Sequence, residues 1–230
     1  MRAITVAAAT LASAALLGAT AEPAREVATT DTPRGRLVLG LHPPERIAVL
    51  DVSTGAIRQR RLPGGTLCHG PLTVSGDRVL FLGSRRGRSA VMSLDLTLER
   101  GPRVVSRSRR AHMPEGSAPP RAARLPGGWS FSPAGGSLSP GGSLLAVAAH
   151  QERRPFRTRI ALVRTAGGAV ELLPAPLPAT RGELAWSRTG EWLYVAARNR
   201  RIPAYRPRDR RVVTLPVRLA DDVIELSAAR

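Results

Sequence analysis

Arginine has the most chemistry to offer in this chain. Basic residues number 35 in 230, all of them arginine, and 17 acids oppose them for a net charge of +18. A guanidinium stays charged at physiological pH and carries a planar fork of donors suited to bidentate capture of phosphate or carboxylate. Nine arginines fall into three short groups: Arg85, Arg86 and Arg88; Arg153, Arg154 and Arg157; and Arg198, Arg200 and Arg201. Arg107, Arg109 and Arg110 form a further group. Such groups attract a polyanion together only if the fold brings them to one surface, and the attraction is screened by salt. The bland alternative is a GC-rich coding bias that replaces lysine with arginine on an ordinary solvated surface.

Residues for bond-making chemistry are sparse. Cys68 is the only thiol, so no intramolecular disulfide can form. Its neighbour His69 could lower its pKa and activate it, but a free cysteine beside a turn more often packs as a small apolar residue. His42, His69, His112 and His150 are scattered, without the i, i+4 pairing or Cys/His cluster of a zinc site. The sequence Gly128-Trp129-Ser130-Phe131-Ser132 fails as a nucleophile elbow at its last position, and the glycine-rich phosphate-binding patterns are absent. Asp221, Asp222 and Glu225 could offer carboxylates to a cation, but neighbouring residues of a strand face opposite ways, and solvation suits them better. These patterns assign no catalytic residue, cofactor or metal. His69 and His150 are the two rings a central site could use, because each adjoins an expected strand end.

The elements that must position these groups are short. Apolar runs of four to eight residues, rich in Val, Leu and Ile, stop at Gly, Pro, Ser-Gly or Thr-Gly, which is the pattern of strands. Strands are expected at 37–41, 47–52, 57–62, 72–74, 79–83, 90–94, 104–106, 144–149, 160–164, 170–173, 183–186, 192–197, 202–206, 212–215 and 223–226. No helical periodicity stands out beyond the first 21 residues, so the expected class is all-β. Those 21 residues have a basic start, an apolar run and Ala19-Thr20-Ala21, the order of a secretory signal; cleavage there removes Arg2 and no acid, which leaves +17. Residues 22–35 read as a polar leader and 36–230 as the folded domain. The segment 107–134, rich in Arg, Pro, Gly and Ser, is expected to be an insertion or a degenerate repeat.

Repetition sharpens the fold. Leu184-Ala185-Trp186-Ser187-Arg188-Thr189-Gly190-Glu191-Trp192-Leu193 lies over Leu138-Ser139-Pro140-Gly141-Gly142-Ser143-Leu144-Leu145, with the serines 48 positions apart. A weaker copy begins at Val74-Ser75-Gly76-Asp77, and a half copy runs from Ile47 to Pro63. These Ser-x-x-Gly turns followed by Leu-x-Val-Ala resemble the Ser-Pro-Asp-Gly turns of WD40-like, TolB-type β-propeller repeats, and the chain is expected to be such a protein, exported, from a high-GC bacterium. The resemblance implies four to five four-stranded antiparallel blades, in a closed or an incomplete ring, and a binding scaffold with no catalytic residue to carry over. Trp-Asp and Gly-His pairs are missing from this copy of the pattern.

Closing such a ring requires covering the exposed strand edges, and Val223–Leu226 is the strand expected to complete the first sheet. If the Ser-x-x-Gly turns join first and second strands, the next hairpin of each blade lies on the opposite rim, and those hairpins hold the three arginine groups. The expectation is an exported binding or scaffold module with a cationic rim for an anionic cell-envelope polymer or an acidic protein surface. Trp129, Trp186, Trp192, Tyr194 and Tyr205 are expected in the core, which leaves the rim without stacking platforms and argues against specific nucleic-acid binding. The alternative is an extracytoplasmic propeller enzyme, lactonase- or lyase-like, with its site at the central channel. The mature chain is expected to hold no transmembrane domain; its oligomeric state is left open.

Overall fold

A computed structural model describes residues 32–43, 45–63, 72–85, 88–106, 117–151, 157–173, 179–197 and 200–229. It is an all-β protein of sixteen strands in four antiparallel sheets, arranged as a four-bladed β-propeller. The first sheet has the order β16-β1-β2-β3, formed by Asp222–Ala229, Arg36–His42, Arg46–Asp51 and Ile57–Arg61. The second is β4 (Thr73–Ser75), β5 (Arg78–Arg85), β6 (Arg88–Asp95) and β7 (Arg103–Ser106). The third is β8 (Trp129–Leu138), β9 (Leu144–Gln151), β10 (Thr158–Arg164) and β11 (Val170–Leu172). The fourth is β12 (Ala179–Trp186), β13 (Leu193–Ala197), β14 (Pro203–Arg206) and β15 (Arg211–Thr214). Every expected strand is present, and the blade number settles at the lower of the two values.

The first and fourth sheets are apolar on both faces because each lies between neighbours. Along β1 and β2, Leu37, Leu39, Leu41, Ala48 and Leu50 pack toward the fourth sheet with Trp192 and Tyr194. The alternate residues Val38, Ile47 and Val49 pack toward the second sheet with Phe81 and Met92. A third cluster joins the third and fourth sheets through Ile160, Leu162, Trp186, Leu193 and Tyr205. There the Trp186 indole N–H donates to the Ser137 carbonyl at 2.8 Å. The innermost strands β16, β12 and β8 carry the contacts around the centre. Continuous apolar runs such as Leu144–Ala149 follow from this burial, since both sets of alternating side chains must avoid water.

Among the described residues no apolar cluster joins the second sheet to the third. The third sheet's outward face is instead covered by 117–128, whose Ala123 and Leu125 pack on Leu145, Val147 and Val163. Ser117 pairs with Gly136, and the backbone at Ala122–Ala123 lies so near Gly168 that a Cβ there would meet it at 2.8 Å. Strand β8 is the element the sequence conceals, because it begins inside the segment expected to match no blade. Pro133, Gly135 and Gly136 break its pattern at a register shift between Phe131 and Gly136, and proline and glycine inside a strand mark such irregularities. Gly136 is obligatory there: a Cβ would lie 2.2 Å from the Ala146 carbonyl oxygen.

The turns repeat as the sequence does. Ser139 and Ser187 are both buried. Each accepts at its hydroxyl the backbone N–H five residues on, Leu144 at 3.1 Å and Trp192 at 3.1 Å. Each carbonyl also takes the N–H of a glycine of positive φ, Gly142 and Gly190. The turns between third and fourth strands hold a second repeated device that sequence comparison missed. Asp51, Asp95 and Asp209 each hydrogen-bond their own turn or its flanking side chain, which holds all three carboxyls below the usual range. Hydrogen bonds from Ser53 and Thr54 bring Asp51 down to about 2.

Two expected outcomes test this description. Gly136→Ala should destabilise the fold by about 1–3 kcal/mol in urea unfolding, the usual cost of overpacking. Gly127→Ala, with open space around it, should stay within about 0.5 kcal/mol. Asp51 has a folded-state pKa below its ordinary value of 3.8, so its contribution is present above 3.8 and disappears as pH falls toward about 2. Asp51→Ala should therefore be less stable than the parent at pH 7, with the difference narrowing across that acid window; a pH-independent difference would contradict it.

Candidate anion-binding rim

The hairpins that carry the arginine groups each join the second and third strands of a sheet: β5–β6, β9–β10 and β13–β14. Arg85 ends β5, Arg88 begins β6, and Arg157 accepts at its carbonyl the Gln151 N–H, at 2.9 Å, just before β10. Arg200 and Arg201 close the β13–β14 loop, where Arg200 has φ of 59° and its N–H donates to the Ala197 carbonyl. Arg86, Arg153, Arg154 and Arg198 lie outside the described residues, as do Cys68, His69, His112 and the group Arg107, Arg109 and Arg110. The Ser-x-x-Gly turns join first to second strands, so within each sheet the arginine hairpins turn at the opposite end.

One contact ties this end of the fourth sheet to the first. The Arg200 carbonyl accepts the Leu219 N–H at 2.9 Å, and the Arg200 Nε lies 3.6 Å from Asp222. Asp222 opens β16 opposite His42, and the preceding Asp221 lies 3.3 Å from Arg46 of β2. Of the two aspartates expected to be solvated, Asp221 is instead largely buried beside Arg46, whereas Asp222 stays mostly exposed. Asp221 is the tighter, with 14% of its side chain exposed against 67% for Asp222. The arginines at this corner are partly neutralised, while Arg157 is exposed.

Other groups divide similarly between structure and surface. His150 Nδ1 lies 3.1 Å from the Thr158 hydroxyl. Arg206 is buried, grips Asp209 through Nε at 3.0 Å and Nη2 at 2.6 Å, and sits 4.9 Å over the Trp192 ring. Among the described residues no three His, Cys, Asp or Glu side chains gather as a metal site, and no helix is long and apolar enough to cross a membrane. Trp186, Trp192, Tyr194 and Tyr205 are buried as expected. Trp129 is only half-buried, at the arginine end of β8.

No protein-family model matches the chain, and no curated protein matches it in sequence. Solved structures similar to it are β-propellers of TolB and WD40 type. TolB from Acinetobacter baumannii is 19% identical, with 81% of this chain and 52% of that chain covered and a TM-score of 0.40. A putative TolB from Agrobacterium tumefaciens is 15% identical over 80% of this chain and 81% of its own, with a TM-score of 0.39. The Cps50 (Swd1) propeller domain of Myceliophteria thermophila is 17% identical, covers 84% and 59% respectively, and has a TM-score of 0.32. The chain thus spans about half the length of the Acinetobacter protein.

Asp221→Asn should cost roughly 1–2 kcal/mol of stability, between the values for exposed and buried pairs, and Asp222→Asn less than about 0.5 kcal/mol. Denaturant unfolding of the two variants checks the order.

Proposed function

We propose that this propeller is an exported, non-catalytic binding module that captures an anionic cell-envelope polymer on the rim formed by its second-to-third-strand hairpins. The observation that carries the reading is positional: the sequence between the second and third strands of three of the four sheets holds an arginine group, at 85–88, 153–157 and 198–201. A coding bias alone scatters arginine without regard to strand number. The net charge of +18 supplies the long-range attraction, and guanidinium forks supply the close contacts. Export rests on the apolar run and the Ala19-Thr20-Ala21 site at the start of the chain. An acidic protein surface would offer the same charge without the repeat spacing of a polymer.

Binding of polyphosphate as a model polyanion, titrated at several salt concentrations, tests the rim. The double variant Arg88→Glu/Arg154→Glu, altered on two hairpins of two sheets, should lose about tenfold in affinity, ~1.4 kcal/mol, at low salt. Its affinity should also vary less steeply with salt. Unchanged affinity and salt slope would remove the rim as the binding face.

A further inference from the structure

The third sheet carries a site that the arginine pattern does not describe. Its outward face, at the arginine end, presents two rows of side chains across three strands. Phe131 of β8, Ala149 of β9 and Arg159 of β10 are in register in one row. In the next, Trp129 stands opposite Gln151, and the Gln151 N–H bonds to the Arg157 carbonyl. Strand spacing and rise make this a footprint of roughly 7 by 10 Å. Trp129, Phe131 and Arg159 are half-buried, Arg157 is exposed, and Ala149 is fully buried as the floor.

The composition of the two sides differs. The aromatic side chains come from the innermost strand and the guanidinium groups from the third, meeting over the buried Ala149 beside the half-buried Gln151. The Arg159 guanidinium carbon lies 5.6 Å from the Trp129 ring centroid, near the outer limit of cation–π attraction, so the pair is held loosely. Neither Arg157 nor Arg159 has an acidic partner among the described residues. The residues fit a ligand with one apolar face and an anionic group at its side. A simple polyanion uses only the arginines, and a neutral sugar only the aromatics.

We infer that this surface binds an acidic sugar unit, its ring packed on Trp129 and Phe131 and its carboxylate or phosphate held by Arg157 and Arg159. The inference rests on the proposed capture of an anionic polymer and adds that the polymer is a polysaccharide. Aromatic faces suit the C–H-rich face of a sugar ring, and the amide of Gln151 suits its hydroxyls. The patch is a single short platform on one blade, which suits one sugar unit better than a run of stacked bases.

Fluorescence gives a direct reading, because Trp186 and Trp192 are buried and Trp129 is the indole reached from outside. The full chain is titrated with an oligogalacturonide, a neutral maltooligosaccharide, polyphosphate and oligothymidylate. The oligogalacturonide should bind and shield Trp129 from acrylamide, and the neutral sugar should bind at least about tenfold more weakly. Trp129→Ala should lose about tenfold in oligogalacturonide affinity while keeping its polyphosphate affinity, and Trp129→Phe should recover most of the loss. Phe131→Leu, which keeps an apolar side chain and both arginines, should show the same selective loss if the alanine variant fails to fold. Equal losses for sugar acid and polyphosphate, no loss for either, or the same Trp129 dependence for oligothymidylate would overturn the inference. Polyphosphate binding by the parent without oligogalacturonide binding sinks the sugar site and leaves the cationic rim standing; binding of neither polyanion sinks both.

Discussion

The structure depends on covering both faces of each β-sheet. A sheet whose two sets of alternating side chains are both apolar has no stable place at a surface, and stacking sheets around a centre is one arrangement that buries every inner face. The pairing of β16 with β1 makes this possible, since it sets residues 222–229 against residues 36–42 and joins the first and last strands within one sheet. Leu226 and Val223 then enter the same apolar cluster as Leu37, Leu39 and Trp192. Without that strand the first sheet would end at an unpaired β1 facing the centre, and the cluster between the first and fourth sheets would open to water.

Where a face lacks a neighbouring sheet, the chain uses other means. On the third sheet, Ala123 and Leu125 cover the half nearer the turns, and the half nearer the arginine hairpins keeps Trp129 and Phe131 incompletely covered. On the second sheet, Leu80, Leu82 and Val91 are half-buried and Val105 is 56% exposed. Incomplete coverage leaves aromatic and cationic side chains side by side at the surface of the third sheet. Aromatic side chains fully packed between sheets, as Trp186 and Trp192 are, have no surface to offer a ligand, and arginines with no apolar neighbour offer charge without shape.

Much of the fold was legible because glycine and serine at the turns are chemically required. Ser139 and Ser187 accept a backbone N–H that would otherwise be buried without a partner, and Gly142 and Gly190 take a positive φ, so these residues recur 48 positions apart while the strands between them diverge. Strand β8 was hidden for the opposite reason. Its proline and glycines serve a local bulge and a close approach to Ala146, both set by tertiary packing that no periodicity records. Trp129 was concealed with it: read as core, it belongs to a strand end whose covering sheet is absent among the described residues. The aspartates Asp51, Asp95 and Asp209 share a structural place but not a sequence motif, so only the hydrogen bonds reveal them.

Those aspartates bear on how the charge is distributed. A carboxylate committed to the turns between third and fourth strands cannot also neutralise arginines on the far rim, because an exposed charge acts over about a Debye length, roughly 8 Å at physiological salt, and a strand of six residues spans about 20 Å. Asp51, Asp95 and Asp209 compensate charge at the turn end, and Glu171 does so there through its 2.9 Å pair with Arg210. At the other end Asp221 and Asp222 are engaged by Arg46 and Arg200 beside the closing strand. Among the described residues Arg157 and Arg159 of the third sheet pair with none of these acids. These acids are thus committed to securing the turns and the closing strand.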